Sequence, residues 1–139
     1  MSQLDPYLIF GGNCADAMRF YEHVLGAKLT ALMTFDQAPG GARIPPGSEK
    51  HVMHARLELP DRVLMASDDM PGKTYEGMKG FSLALNYPSV DEAKRIFGLL
   101  AEGGETRMAL DKTFWAEIFG VCVDKFGTPW MVSGALVPM

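Results

Sequence analysis

Polar side chains that could do chemistry alternate with apolar ones along residues 52–59, VMHARLEL. Every second side chain of a β-strand lies on the same face, so His54, Arg56 and Glu58 are predicted to share one face. Asp68 comes just after the next apolar stretch. A carboxylate beside His54 would favour the charged imidazole, which could act as a base or as a hydrogen-bonding hook for a ligand. The same alternation is also typical of a sheet with one solvated face.

Trp115 and Glu117 form a second candidate pair, in the stretch TFWAEIFG. A period of two places both on one side of a strand, and it places Phe114, Ala116 and Ile118 on the other side, toward the helices. Trp115 has the bulk and the single N–H donor that suit a cavity wall, although an interface or core aromatic has the same features. Glu117 is expected at a rim or in solvent.

Other catalytic signals are weak. The sequence contains no G-x-S-x-G, no H-E-x-x-H and no Walker loop. Cys14 is predicted at a helix N-terminus, where the pKa of a thiol is lowered, but burial in the core is the commoner role for such a cysteine. Cys14 and Cys122 form no C-x-x-C pair, so we expect reduced thiols and a cytoplasmic protein.

Length and composition narrow the class of protein. With 139 residues, 47% hydrophobic and 22% charged, the chain is expected to form a single domain. A net charge of −4 without any Lys/Arg run argues against nucleic acid or a membrane surface as a partner. No apolar run approaches the roughly 20 residues that span a bilayer. Ten methionines indicate either adaptable core packing or a soft, apolar ligand cavity.

The elements that must position these residues begin with a strand and a helix. Tyr7 to Phe10 is predicted as a strand, and Asn13 as the N-cap of a helix over residues 13–25. Apolar residues recur in this helix at three- and four-residue steps, which gives one buried stripe. Gly26 suits the left-handed conformation that ends a helix. Two antiparallel strands follow, at residues 52–59 and 62–67.

The second half of the chain repeats this order. Residues 81–85 are predicted as a strand, and Ser89 opens a capping box, S-x-x-E, for a helix over residues 89–102. A strand over residues 113–123 and a returning strand at 130–133 come next. The sequence therefore predicts an α+β fold in which a strand, a helix and two or three strands occur twice, in mixed and antiparallel sheets. The two modules are predicted at residues 5–70 and 78–135.

Several of these stretches resemble a known family. FGGNCADAMRFYEHVLGAKL is similar to the opening module of the glyoxalase/bleomycin-resistance (vicinal oxygen chelate) superfamily. HVMHARLEL and LMASDDMP, together with TFWAEIFGVCVDKFGTPWMVS, resemble its PhnB-like branch. The resemblance covers about residues 5–135. It implies two βαβββ modules whose curved sheet holds a ligand on its concave side.

The resemblance also bears on metal binding. In metal-dependent members, four His, Glu or Gln ligands come from the first and last strands of the two modules. The corresponding places in this chain fall near Pro6 or Tyr7, on Met65, near Phe81 or Ser82, and on Met131. None of them supplies an imidazole or a carboxylate, which hard and borderline divalent ions require. We therefore expect no divalent metal at these places, and no cofactor.

These observations favour a small-molecule-binding protein without the usual metal site. One alternative is a metal-dependent lyase, isomerase or dioxygenase-like enzyme with displaced ligands at His54, Asp68 and Glu117. Another is a structural or regulatory dimer without a ligand. We expect a homodimer, with residues 36–50 as a loop that closes over the site. The residues expected to contact the ligand are His54, Arg56, Met65, Asp68, Trp115, Glu117 and Met131.

Overall fold

The computed structural model describes residues 2–37, 46–70 and 72–138. The chain divides into two compact units, Met1–Gly77 (unit 1) and Met78–Met139 (unit 2). Residues 38–45 of the predicted closing loop lie outside the described residues. No helix in the described part of the chain has the length and apolar character needed to cross a membrane.

The described residues of unit 1 form one helix packed on a four-stranded mixed sheet. Its elements are β1 (Tyr7–Phe10), α1 (Cys14–Leu25), β2 (Lys28–Thr34), β3 (Val52–Glu58) and β4 (Val63–Asp68). The strand order is β1-β4-β3-β2, in which β1 runs parallel to β4 and the other pairs are antiparallel. A short 3₁₀ turn, Phe35–Gln37, follows β2.

Unit 2 repeats this topology. Its elements are β5 (Leu83–Tyr87), α2 (Val90–Ala101), β6 (Glu105–Asp111), β7 (Ala116–Val123) and β8 (Pro129–Leu136). The order is β5-β8-β7-β6, and β5 is parallel to β8. The prediction of an α+β fold built from two βαβββ repeats is confirmed.

Each helix covers one face of its own sheet, because its apolar stripe matches the buried alternate residues of the strands. In unit 1 the fully buried side chains include Met18 and Tyr21 from α1, together with Phe10 from β1 and Leu57 from β3. In unit 2 they include Ile96 and Leu100 from α2 and Trp130 and Val132 from β8. Among the described residues of each unit, no helix lies on the opposite face of the sheet. We call these surfaces the helix-free face of unit 1 and the helix-free face of unit 2.

The two helices are capped differently. Ser89 Oγ accepts a hydrogen bond from the Glu92 N–H at 3.3 Å, as the capping box predicts. Asn13 occupies the N-cap position of α1, but its side chain makes no capping hydrogen bond, so that part of the prediction is wrong. Gly26 ends α1 in the left-handed conformation, with φ 64°, as expected.

Some strand boundaries differ from the prediction. The fifth strand is Leu83–Tyr87 rather than residues 81–85. The seventh begins at Ala116 rather than Thr113, because the Thr113 N–H donates to the Ala116 carbonyl and the Ala116 N–H donates to Thr113 Oγ1, both at 3.1 Å. These hydrogen bonds close a turn just ahead of β7.

Candidate functional site

The helix-free face of unit 1 brings together residues that are far apart in the sequence. The strand register places Met65 of β4 between Tyr7 of β1 and Arg56 of β3. His54, two residues before Arg56, pairs with Met33 of β2. The neighbours that point toward α1, such as Ala55 and Leu57, are fully buried, which fixes the direction of the alternation. The side chains on this face include Tyr7, Ile9, Met33, His54, Arg56, Glu58, Met65 and Ser67.

A hydrogen bond joins two polar residues of this face. The Tyr7 hydroxyl lies 3.2 Å from His54 Nδ1, and the two rings have centroids 5.9 Å apart. Because β4 lies between β1 and β3, the phenol reaches across a strand to meet the imidazole. The sequence singled out the position of Tyr7 only as the place of a missing metal ligand. Its pairing with His54 depends on the strand order, which no local motif specifies.

Arg56 belongs to a second polar cluster on the same face. Its Nε donates to Glu58 Oε2 at 3.1 Å, and Thr30 Oγ1 donates to the same oxygen at 3.1 Å. Both hydrogen bonds lower the pKa of the Glu58 carboxyl, and the one from Arg56 has the larger effect. All three side chains are partly or fully exposed, so the cluster is open to solvent.

Asp68 is not beside His54, contrary to the expectation from the sequence. It is 4% exposed and lies on the side of β4 that faces α1. Its Oδ1 accepts from the Gly12 and Cys14 N–H groups at 2.8 and 3.1 Å, and its Oδ2 accepts from the Val52 N–H at 2.7 Å. Asp68 therefore provides the N-terminal cap of α1 that Asn13 does not, and it ties that cap to the start of β3.

The two cysteines are packing residues. Cys14 is fully buried, and burial, followed by the nearby Asp68 carboxylate, raises the pKa of its thiol far above the usual value. Its place at a helix N-terminus thus does not lower its pKa, because desolvation is the larger effect. Burial and Asp124 likewise raise the pKa of Cys122 to about 11. Neither thiol has the character of a nucleophile.

The helix-free face of unit 2 is less polar at the equivalent positions. Met131 of β8 lies between Ala84 of β5 and Val121 of β7, as Met65 lies between Tyr7 and Arg56 in unit 1. By register, the position of unit 2 equivalent to Tyr7 is Ala84 rather than Phe81 or Ser82. The hydrogen-bonding residues that flank Met65 have no polar counterparts beside Met131.

An aromatic cluster lies at the start of β7 in unit 2. Trp115 packs edge-on against Phe119, with centroids 5.1 Å apart, and against Phe114, at 4.8 Å. Trp115 is half-buried and Glu117 is exposed. Ala116 and Ile118 are buried as expected, but Phe114 is 77% exposed, so the prediction that it faces the helix is wrong. The turn between Thr113 and Ala116 breaks the alternation before the strand begins.

The residues at the four superfamily metal places do not fit a divalent ion. Unit 1 supplies Tyr7 and Met65, and unit 2 supplies Ala84 and Met131. Two thioethers, a methyl group and a single phenol do not supply the imidazole or carboxylate ligands that zinc, nickel and manganese select. Across the described ranges, no three His, Cys, Asp or Glu residues are grouped so that they could hold a metal.

The fold defines a class of proteins built from paired βαβββ modules, and sequence comparison identifies the family. The chain belongs to the Glyoxalase/Bleomycin resistance protein/Dioxygenase superfamily, whose sequence model matches residues 3–132. Protein YjdN of Escherichia coli (strain K12) is 40% identical, in an alignment that covers 94% of this chain and 93% of that protein.

Solved structures share the fold. Protein PA1353 from Pseudomonas aeruginosa is 46% identical and superposes with a TM-score of 0.89, covering 96% of this chain and 98% of that one. The PhnB protein from Bacillus cereus superposes with a TM-score of 0.79 over 96% of this chain and 100% of that one. Its identity of 24% supports a common fold and nothing more specific.

Proposed function

We propose that this protein binds a small organic molecule, and that the ligand lies on the helix-free face of unit 1. The observation that carries the proposal is the hydrogen bond between Tyr7 and His54, on the sheet face that α1 leaves uncovered. A polar pair held across three strands is oriented before any ligand arrives. Such preorganised polar groups on an apolar background are characteristic of small-molecule sites.

Apolar side chains on the same face supply the contact surface. Ile9 and Met33 are each 38% exposed, and Met65 is half-buried between Tyr7 and Arg56. Methionine is flexible and polarizable, so it adapts to ligands of different shape. Burying these side chains under a ligand would contribute roughly 25 cal/mol for each Å² of apolar surface removed from water.

We also propose that residues of unit 2, taken by itself, contact a ligand. Met131 is 38% exposed on the helix-free face of unit 2, and Trp115 offers an aromatic surface next to Phe119. Glu117 is exposed two residues further along the chain and suits the rim of a site. Asp68 is assigned a positioning role instead, since its two oxygens are occupied by backbone N–H groups.

We also propose that binding does not use a divalent metal. The alternative, an enzyme with displaced ligands at His54, Asp68 and Glu117, loses support from the structure. Asp68 lies on the other side of the sheet from His54, and both of its carboxylate oxygens accept hydrogen bonds from backbone N–H groups. Cys14 and Cys122 are both free and buried, which suits a reducing compartment. We therefore propose that the protein is located in the cytoplasm.

A ligand-stabilisation screen followed by a pair of histidine variants tests the proposed site. We expect compounds that raise the melting temperature to bind His54→Ala roughly tenfold more weakly by calorimetry, since a hydrogen-bonding group is lost. His23→Ala is the matched control, because His23 is exposed on α1, away from the helix-free face, and its loss should leave affinity unchanged. Compounds that bind both variants as tightly as the parent protein would remove His54 from the site.

A further inference from the structure

Arg56 has unused donor capacity on the helix-free face of unit 1. Its Nε is engaged by Glu58 at 3.1 Å, but no residue within the described ranges accepts a hydrogen bond from its two terminal Nη groups. A guanidinium carries five N–H donors in a planar fork whose geometry matches a carboxylate. Four of these five donors are therefore available to a ligand.

His54 presents a free ring nitrogen on the same face. Its Nδ1 is occupied by the Tyr7 hydroxyl, and its Nε2 contacts no polar group of the described residues. If the phenol donates to Nδ1, the proton of the neutral ring is on Nε2. If the ring is protonated, Nε2 also carries a proton. In these two states Nε2–H is a donor that points away from the Tyr7 contact, whereas a neutral ring that donates from Nδ1 to the phenol oxygen presents Nε2 as an acceptor.

The two free donors are close enough to act together. Residues two apart on a strand are separated by about 6.5 Å along the chain, and both side chains project to the same face. Met65 is the register partner of Arg56, so the donors border an apolar surface. Two N–H donors next to the apolar Met65 side chain match a molecule that has an apolar body and one anionic end.

Glu58 does not prevent this interaction. The Arg56 and Glu58 side chains are 43% and 47% exposed, and exposed ion pairs contribute little net free energy. Glu58 is also held by Thr30, on the side of the cluster toward β2. The two terminal NH₂ groups of Arg56 can therefore donate to another acceptor. The negative charge of Glu58 lowers the positive electrostatic potential around the guanidinium.

We propose that the ligand of the helix-free face of unit 1 carries a carboxylate, which Arg56 and His54 bind through their free N–H donors. This inference rests on the proposed function and adds the charge and chemical class of the ligand. A neutral amide of the same shape would lose the charge-assisted part of the interaction.

Two probes of similar shape, benzoate and benzamide, test the inference by titration of ¹⁵N-labelled protein at constant ionic strength. We expect benzoate to shift the amide resonances of β1, β3 and β4 and to bind roughly tenfold more tightly than benzamide. Arg56→Gln should remove that difference by weakening benzoate alone. Arg56→Lys, which keeps the charge but loses the fork, should give an intermediate affinity.

Two further variants sharpen the test. Arg107→Gln is the matched control, since Arg107 also pairs with a glutamate two residues away, Glu105 at 3.8 Å, on an exposed strand of unit 2. It should leave both affinities unchanged. Glu58→Gln should strengthen benzoate binding roughly two- to fivefold, because a competing carboxylate is removed.

The outcomes separate this inference from the proposed function. Equal affinities for benzoate and benzamide, with both weakened by His54→Ala, would overturn the carboxylate inference and leave the binding site in place. Unchanged benzoate affinity in Arg56→Gln would also overturn it. If neither probe shifts the amide resonances of β1, β3 or β4, the inference that the ligand carries a carboxylate is wrong. The binding site itself is tested separately, by the ligands from the stabilisation screen.

Discussion

Asp68 and His54 have different roles although both are polar residues in one small sheet. Asp68 is 4% exposed and satisfies three backbone N–H groups, at the start of α1 and of β3. His54 bonds a neighbouring side chain and keeps one ring nitrogen free on the opposite face. The buried carboxylate holds the strands in place, and the half-buried imidazole is the group that we propose for ligand recognition.

Asp68→Asn is expected to destabilise the protein by about 2–3 kcal/mol. An amide NH₂ in place of one carboxylate oxygen would face an N–H donor in the buried site and leave it without an acceptor. Urea unfolding followed by circular dichroism measures the change. Asp69→Asn is the control, because Asp69 accepts a local hydrogen bond from the Met70 N–H, and it should change stability by less than about 0.5 kcal/mol. Equal stability of the two variants would contradict the capping role of Asp68.

The site residues were only partly predictable because the decisive contacts join distant parts of the chain. Period two placed His54 and Arg56 on one face of β3 from sequence alone. The Tyr7 hydrogen bond to His54 spans 47 residues, and the Asp68 bond to Gly12 spans 56. Both depend on β4 lying between β1 and β3, and a single sequence does not specify that strand order.

At the scale of elements, short sequence motifs predicted the features that depend on neighbouring residues, such as the start and the length of a helix. Ser89 and Glu92 marked the start of α2, and apolar periodicity gave both helices to within one residue at each end. The edge strands β2 and β6 were not assigned individually. β6 is exposed along most of its length, so its sequence, ETRMALD, carries no buried alternation that would identify it.

The packing of α2 on β8 depends on a residue without a side chain. A Cβ at Gly134 would lie 2.8 Å from both Ala93 Cβ and Ile118 Cγ2, closer than real contacts allow. We expect Gly134→Ala to lower the free energy of unfolding by about 1–3 kcal/mol, because the helix must move away from the sheet.

Gly98→Ala provides the matched comparison within α2. A Cβ at Gly98 would meet nothing within 4 Å, and alanine is the better helix former. This variant should raise stability by roughly 0.5–1 kcal/mol. Urea unfolding of both variants measures the two changes. Gly134→Ala with the same gain as Gly98→Ala would mean that the helix and sheet are not closely packed at this point.

At the scale of the whole molecule, the two units share a topology and differ in the chemistry of their helix-free faces. Unit 1 places Tyr7, His54 and Arg56 around Met65. Unit 2 places Ala84 and Val121 around Met131. Unit 1 thus carries hydrogen-bonding groups beside its central methionine, and unit 2 carries apolar side chains at the equivalent positions.

Exposed apolar side chains of unit 2 lead us to expect a homodimer. Among the described residues of unit 2, Met108 is 51% exposed and Phe114 is 77% exposed, and water contact with such side chains favours association. Sedimentation equilibrium at micromolar concentration should give twice the chain mass of 15.2 kDa. Phe114→Ser should weaken the dimer measurably. Leu4→Ser is the control, since Leu4 is 93% exposed and lies outside every helix and strand. A single species at the mass of one chain would show that the expectation of a dimer is wrong.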